Sequence, residues 1–262
     1  MDTIKKILVP IDFTVTSRGA LKCAMEFIKK DKITLQFLYT TATPINSEET
    51  KTMNKKFKEF IQDLRVDSKV KYEFLIASGP LVPTILKIKE SNGADLIIMG
   101  TKGSTLSEEM TVSNTVDLVL EADCPVLVIP VGTIDFSVKK IALAIGKNEI
   151  DDSSALQVLL DVARCFNAEV HVLTVDPDLT GYSKVDEKNE NILEYYLENF
   201  YAHHSFPEET DIEKGIFDYV KNKDIDMLAI LPRNHSKNGK PSEGRLTKLL
   251  TMHTKVPLLT ID

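Results

Sequence analysis

Two short segments in the first half of the chain combine residue types that could hold a phosphate-bearing ligand. Asp12 follows an apolar run together with Pro10 and Ile11, and a second apolar run leads into Met99-Gly100-Thr101-Lys102-Gly103. Glycine lets the backbone approach a bulky anion and turn its amides toward it. A helix predicted to begin at Ser113 would add free amides and a favourable dipole. Because any turn after a strand tolerates glycine, the same segments also fit a plain tight turn.

The residues around these segments predict alternating strands and helices. Short runs of β-branched and aliphatic residues indicate strands, and the segments between them carry apolar residues at helical spacing. The predicted strands cover residues 4–11, 33–40, 70–77, 95–99 and 126–131, and the predicted helices cover residues 17–30, 48–65, 81–91 and 113–121. This order is typical of a doubly wound parallel sheet, in which ligands bind at the carboxyl ends of the strands. Both candidate segments are therefore expected at that edge.

The second half repeats the plan of the first. Lys5-Lys6-Ile7 returns as Lys139-Lys140-Ile141, and Pro125-Val126-Leu127 returns as Pro257-Leu258-Leu259. A repeat of about 130 residues is too long for a solenoid unit and indicates a duplicated domain. Strands predicted at residues 140–145, 169–175, 200–206, 226–231 and 256–261, and helices predicted at 152–166, 185–198, 211–222 and 244–253, complete the second copy. With the boundary at Gly132, the two domains span residues 1–132 and 133–262.

Composition argues against several classes of protein. The chain has 262 residues, with 32 basic and 39 acidic side chains and a formal net charge of −7. Phosphate backbones need a basic footprint, so no nucleic-acid partner is expected. The longest apolar stretches fall far short of the ~20 residues that cross a bilayer, so no membrane partner is expected either. The N-terminus lacks the apolar core of a secretory signal, and we expect a cytoplasmic protein.

Five segments of the first half are specific in combination. They are Lys5–Phe13 followed by Ser17 and Ala20-Leu21, Gly79, Gly93–Gly103, Ser113-Asn114-Thr115, and Cys124–Val128. Together they resemble the universal stress proteins in their tandem two-domain form. The resemblance implies an α/β chain of two tandem Rossmann-like (adenine nucleotide alpha hydrolase-like) domains, each a five-stranded parallel sheet flanked by helices. It also implies a non-enzymatic role in the stress response. The second half resembles the family mainly in its first strand and in Val256–Leu259.

Family members with this fold divide into those that bind ATP and those that do not. Carried over by position, the family's ATP site falls on ten residues of this chain: Pro10, Ile11, Asp12 and Leu38 beside the adenine, Met99, Gly100 and Gly103 in the first part of the phosphate cradle, and Ser113, Asn114 and Thr115 in the second part. The resemblance thus implies ATP or another adenine nucleotide as the cofactor of the first domain only. Mg²⁺ is expected only together with the nucleotide.

The second part of the cradle departs from the ATP-binding pattern. Only eight residues separate Gly103 from Val112, where the family has nine followed by a glycine. A valine brings a branched side chain close to the phosphates and disfavours a positive φ. Glu108 and Glu109 would repel a triphosphate that they faced, whereas Lys102 would attract it. A nucleotide-free interaction module therefore stays open as an alternative. A slow ATPase is a third possibility, disfavoured because no general base or metal-binding pair accompanies the cradle.

The second half keeps less of this pattern. Gly146 stands where the first half has Asp12, and Leu231-Pro232-Arg233-Asn234 replaces the glycine turn. We therefore expect a degenerate second domain. The basic loop from Arg233 to Lys248 could bind an anion through its side chains, although a solvated connection is the simpler interpretation.

The remaining motifs indicate packing or pairing rather than chemistry. If His203 and His204 lie in a strand, their side chains point to opposite faces and cannot chelate one ion together. The three cysteines are widely spaced, which favours buried free thiols. The last strands of the two copies, 126–131 and 256–261, are apolar enough to pair within one chain or between two chains. The chain could thus be its own dimer or form a homodimer, and its protein partner is not specified by the sequence.

Overall fold

Strands and helices alternate along the chain in both halves. The computed structural model describes residues 4–28, 33–62, 71–102, 113–133, 136–147, 150, 155–177, 181–231 and 244–261. By their contacts, the residues divide into two units, 2–136 and 137–262. Each unit is an α/β domain whose neighbouring strands are parallel.

The first unit builds its sheet from five strands within the described residues. The strands are β1 (Lys6–Pro10), β2 (Thr34–Thr41), β3 (Tyr72–Ser78), β4 (Leu96–Thr101) and β5 (Val126–Pro130), and the helices are α1 (Val15–Ile28), α2 (Ser47–Gln62), α3 (Leu81–Asn92) and α4 (Asn114–Glu121). Neighbouring strands are parallel in the order β3-β2-β1-β4-β5. The predicted fold class is confirmed.

The second unit repeats this topology. Its strands are β6 (Lys140–Ala144), β7 (Glu169–Leu173), β8 (Tyr201–Ser205), β9 (Met227–Ile230) and β10 (Leu258–Thr260), and its helices are α5 (Leu156–Phe166), α6 (Lys184–Leu197), α7 (Ile212–Asn222) and α8 (Arg245–His253). Neighbouring strands are again parallel, in the order β8-β7-β6-β9-β10.

Several predicted boundaries differ from the observed ones, and two of these differences have identifiable reasons. Helix α1 begins two residues earlier than predicted, because the amide of Arg18 already donates to the carbonyl of Thr14 at 3.0 Å. Phe200 was predicted to open a strand, but it belongs to a 3₁₀ turn of Glu198–Phe200. In that turn the chain leaves α6 through Glu198, whose φ is 53°. The strand β8 therefore starts at Tyr201.

The central strands of both sheets are apolar on both faces. Ile7, Leu8 and Val9 of β1 are completely buried, and so are Ile141 and Leu143 of β6. A parallel sheet covered by helices on both sides needs such continuous apolar runs, because neither face meets water.

An aspartate ties the first strand of each sheet at its amino end. Asp95 Oδ2 accepts hydrogen bonds from the amides of Lys5 at 2.8 Å and Lys6 at 2.9 Å. Asp226 Oδ2 accepts from the amides of Lys139 and Lys140 at 2.8 and 2.9 Å. The duplication seen in the sequence thus extends to individual hydrogen bonds. We call these two contacts the aspartate staples.

Within the described ranges, none of the helices is both long and apolar enough to cross a membrane.

Candidate functional site

The carboxyl ends of β1, β2 and β4 bring most of the predicted site residues to one edge of the first sheet. Pro10 is paired with Leu38 across β1 and β2, and the Ile11 amide donates to the Leu38 carbonyl at 2.8 Å. β4 pairs with β1 and carries Met99 and Gly100 near its carboxyl end, which is at Thr101. The predicted site residues that are described comprise Pro10, Ile11, Leu38 and Thr115, which are buried, Met99, Gly100 and Ser113, which are half-buried, and Asp12 and Asn114, which are exposed. In this topology the strand order reverses between β1 and β4, where open α/β sheets bind ligands.

Hydrogen bonds fix the carboxylate of Asp12 at this edge. Its Oδ1 accepts from the backbone amide of Thr14 at 3.0 Å and from the Thr14 hydroxyl at 2.5 Å. The Asp12 amide donates to Ser17 Oγ at 3.4 Å, and that hydroxyl donates to the carbonyl of Thr14 at 3.1 Å. Partial burial raises the pKa of Asp12, but the hydrogen bonds from Thr14 and Ser17 outweigh it and hold the pKa below its usual value. Asp12 is therefore an ionised, oriented acceptor that solvent can reach.

The residue after Asp12 anchors the turn. Phe13 has a φ of 63°, a conformation that costs a bulky residue free energy. Its ring packs against Tyr39 at 5.1 Å and against Phe60 at 5.5 Å between centroids, and Lys56 Nζ lies 4.6 Å above it. Burying the ring in this cluster offsets the backbone strain. The sequence offered no signal for this conformation, since phenylalanine rarely adopts a positive φ.

Gly100 has a packing role that the phosphate interpretation does not require. A Cβ at Gly100 would overlap the carbonyl oxygen of Thr16 and lie 2.8 Å from Thr16 Cγ2, where α1 crosses β4. The carbonyl of Gly100 accepts from Thr115 Oγ1 at 3.2 Å, which ties the start of α4 to the end of β4. Only glycine permits the approach of α1.

The start of α4 faces the same edge. Ser113 is its N-cap residue, with extended backbone angles, but its side chain makes no capping hydrogen bond. The hydroxyl of Ser113 therefore accepts no hydrogen bond from the first backbone amides of α4. Amides at a helix N-terminus attract anions through their N–H groups and the helix dipole. Asp117 in the first turn opposes that attraction.

Part of the predicted cradle lies outside the described residues. Gly103, Val112, Glu108 and Glu109 belong to this part, so the predicted effects of the valine and of the acidic loop stay predictions. Lys102, the last described residue before this gap, is exposed.

Comparison with protein families identifies the first half. Residues 3–130 match the model of the Universal stress protein family. Those residues form a universal stress protein domain. No curated protein matched the chain in a sequence search.

Solved structures extend the fold to the whole chain. A universal stress protein from Archaeoglobus fulgidus is 16% identical with a TM-score of 0.75, and the match covers 98% of each chain. A putative universal stress protein from Pseudomonas aeruginosa is 17% identical with a TM-score of 0.71, covering 99% of this chain and 94% of that chain. At these identities the likeness concerns the fold, which is the tandem universal stress protein fold.

The same edge of the second unit carries different chemistry from the universal stress protein domain. The Ile145 amide donates to the Leu173 carbonyl at 2.9 Å, matching the bond from Ile11 to Leu38 in the first unit. This register places Gly146 where Asp12 stands. It places Lys147 where Phe13 stands.

Lys147 is held by two carboxylates. Its Nζ lies 3.1 Å from Asp176 Oδ2 and 3.6 Å from Asp186 Oδ2, and it donates to the Gly181 carbonyl at 2.5 Å. Asp186 is completely buried and also completes a capping box with Ser183 at the start of α6. Sequence reasoning missed this cluster, because its members are spread over more than 35 residues with no recognisable spacing.

The remaining candidates of the second unit are separated or only partly described. His204 has a buried side chain against Thr174, whereas His203 is exposed and contacts Tyr219, so the two rings do not converge. Within the residues that the structure describes, no group of three or more His, Cys, Asp or Glu side chains could hold a metal ion. The basic loop is described only from residue 244 onward.

Proposed function

We propose that the protein binds an adenine nucleotide at the carboxyl edge of its first unit and acts in the stress response through that bound state. The observation that carries the proposal is the oriented carboxylate of Asp12 beside the buried wall of Pro10, Ile11 and Leu38. A carboxylate acceptor next to an apolar surface suits the exocyclic amine and flat face of a purine base. The resemblance to ATP-binding universal stress proteins supports the same assignment.

The phosphates are assigned to the start of α4. The groups that would contact the phosphates are the backbone amides that follow Ser113, to which the Ser113 side chain makes no capping bond, and the exposed ammonium of Lys102. Mg²⁺ would arrive with the phosphates, since the described residues supply no metal cluster of their own. The second unit is not assigned a nucleotide, because Gly146 lacks the acceptor and Lys147 carries a positive charge in the neighbouring position.

Nucleotide release tests the proposal. The purified full chain is denatured, the supernatant is chromatographed, and thermal shifts are measured with ATP or AMP and Mg²⁺. We expect at most one nucleotide per chain and a positive shift, both lost in Asp12→Ala. Asp123→Ala is the matched control, because it removes an exposed aspartate from the opposite edge of the same unit and should leave binding unchanged. Absence of nucleotide together with no shift in excess ATP would overturn the proposal.

A nucleotide-free interaction module is the second candidate. The observation that favours it is the packing of Gly100 against Thr16, since this packing explains the glycine without any ligand. The same experiment separates the two candidates. Phosphate release from ATP over time, compared with a protein-free blank, separates binding from hydrolysis, and we expect no release above the blank.

A further inference from the structure

Two histidines of the second unit face each other on neighbouring strands. His171 of β7 and His203 of β8 are partners in the strand register. Their rings meet edge to face, with 4.7 Å between centroids and 75° between planes. His171 is buried, whereas His203 is exposed. These two residues, which we call the histidine pair, can therefore be reached by solvent from the side of His203.

A carboxylate fixes the position of the proton on His171. Glu169 Oε1 lies 3.0 Å from His171 Nε2, and this hydrogen bond is the largest of the effects that hold the pKa of Glu169 below its usual value. An ionised carboxylate only accepts hydrogen bonds, so Nε2 carries the proton and Nδ1 of the neutral ring carries a lone pair. That Nδ1 is buried and has no hydrogen-bond partner. Such atoms are uncommon in folded proteins.

The second ring can present a lone pair as well. The hydroxyl of Tyr219 on α7 lies 3.3 Å from His203 Nε2 and 3.2 Å from Ser205 Oγ. When this hydroxyl donates to Ser205 and accepts from His203 Nε2, the lone pair of His203 is on Nδ1. Partial burial is the largest effect that lowers the pKa of His203, which favours the neutral ring.

The first unit carries a different pair at the corresponding positions. Gln36 and Glu73 are register partners on β2 and β3, and Gln36 Nε2 donates to Glu73 Oε2 at 2.8 Å. The side-chain oxygen of Gln36 accepts from Asn92 Nδ2 at 3.3 Å. Both ends of the buried Gln36 amide are thus hydrogen-bonded. The unpartnered nitrogen of His171 is therefore particular to the second unit and is not a requirement of the fold.

We propose that His171 and His203 together bind one divalent transition-metal ion, with Zn²⁺ as the expected species and His171 Nδ1 as the buried ligand. The ion supplies the partner that this nitrogen lacks, and it joins β8 to β7 beside the irregular register at Val170 and His171. Glu169 supports the site through His171, because a carboxylate bonded to the second ring nitrogen orients a metal-binding imidazole and raises its basicity.

The spacing of the two rings suits a shared ion. Two imidazoles that bind one Zn²⁺ at about 2.0–2.1 Å have centroids roughly 4.5–5.2 Å apart, a range that includes the distance in the histidine pair. Imidazole nitrogen favours Zn²⁺, Cu²⁺ and Ni²⁺ over the hard cations Mg²⁺ and Ca²⁺. Among the described residues no third His, Cys, Asp or Glu completes the site, so water fills the remaining positions and the ion stays exchangeable.

A zinc titration of the full chain, stripped of metal by a chelator, tests the proposal. Long-range ¹H–¹⁵N NMR follows the imidazole nitrogens, and competition with a colorimetric zinc indicator gives the affinity. We expect the first equivalent of Zn²⁺ to shift the Nδ1 resonances of His171 and His203, whereas Mg²⁺ should shift neither. His203→Asn should weaken binding by about tenfold or more. Glu169→Gln keeps both ligands and should also weaken binding, by about tenfold.

Two further variants serve as controls. His253→Asn removes a half-buried imidazole that contacts Glu213, outside the histidine pair, and should leave the affinity unchanged. His171→Gln combined with His203→Glu installs the pair of the first unit and should fold without binding zinc. If this double variant does not fold, His203→Asn decides alone, because that ring is exposed. Zinc shifts confined to other histidines, an unchanged affinity in His203→Asn, or no binding by the wild-type chain would overturn the proposal.

Discussion

The two units place different residues at the same two backbone positions after their first strand. The first unit has Asp12 followed by Phe13, which give an exposed carboxylate and an aromatic anchor. The second has Gly146 followed by Lys147, whose ammonium is drawn inward by Asp176 and Asp186. The backbone hydrogen bonds just before these positions are nearly the same length in both units. One fold thus supports two unlike edges, so function has to be argued from the site and not from the topology.

The largest expected difference between the units concerns the charge cluster of the second. Lys147→Met would leave Asp176 and Asp186 buried without their cation. We expect a loss of about 3 kcal/mol in the free energy of unfolding, because removing the lysine leaves buried negative charge without a compensating positive charge. Urea denaturation measures it. Lys214→Met is the control, because that exposed lysine pairs with Glu209 and Asp218 on the surface and should show no measurable change. A loss as small as the control's would mean that the cluster does not stabilise the second unit.

The close approach of α1 to β4 gives the next effect, and it is confined to the first unit. Gly100→Ala would force a Cβ into the backbone of Thr16, and we expect a loss of about 2–3 kcal/mol. Gly19→Ala is the matched control, since its Cβ would lie 3.8 Å from Ile129 Cγ2, an ordinary contact, within α1. Alanine favours the helix, so this control should be neutral or stabilising by up to about 1 kcal/mol. Equal losses in the two variants would contradict the packing role of Gly100.

The aspartate staples should respond equally in the two units. Asp95→Ala and Asp226→Ala each remove one oxygen that accepts from two backbone amides. We expect each to lower the free energy of unfolding by about 2 kcal/mol. Asp95→Asn and Asp226→Asn keep an acceptor oxygen and should lose less. If one staple mattered and the other did not, the two units would differ in their scaffold as well as at their edge.

The smallest effect concerns the pKa of Asp12, for which the second unit has no counterpart. Thr14→Val removes the hydroxyl that donates to Asp12 Oδ1. Fewer hydrogen bonds then counteract the effect of burial, which raises the pKa, so the pKa of Asp12 should rise. A carboxyl with a lowered pKa stabilises the fold above its unfolded pKa and loses that contribution as the pH falls through its folded pKa. The stability at neutral pH should therefore fall by about 0.5 kcal/mol, a low value because Asp12 is exposed. Titration of the Asp12 carboxyl by NMR checks the shift, and Thr14→Ser should retain the low pKa.

Local patterns were sufficient to predict the elements of the fold. The strands around Leu8 and Ile141 carry continuous apolar runs that only a buried parallel sheet explains. Asp12 and Gly100 could also be predicted to lie at the carboxyl edge of the first sheet, because each directly follows a predicted strand. Periodicity was sufficient for the doubly wound parallel sheet, whereas the Rossmann-like class was implied by the resemblance to the universal stress proteins.

The residues that could not be predicted depend on contacts between distant segments. Gly100 is required by Thr16, which lies 84 positions earlier in the sequence. Lys147 is neutralised by carboxylates on two later segments, and His204 meets Glu190 across a helix and a strand. A single sequence carries no spacing rule for such pairs, since their proximity is decided by packing of the finished sheet.

The aspartate staples offer a way to align distant copies of this fold. The family match ends at residue 130, yet the bond pattern of Asp95 reappears at Asp226, well beyond it. In both units, an aspartate just before the fourth strand accepts hydrogen bonds from two successive backbone amides at the start of the first strand. This pair of positions can therefore align a copy of the fold whose ligand-binding residues have diverged. Searches that weight this pair could assign tandem halves that a motif built on the nucleotide edge overlooks.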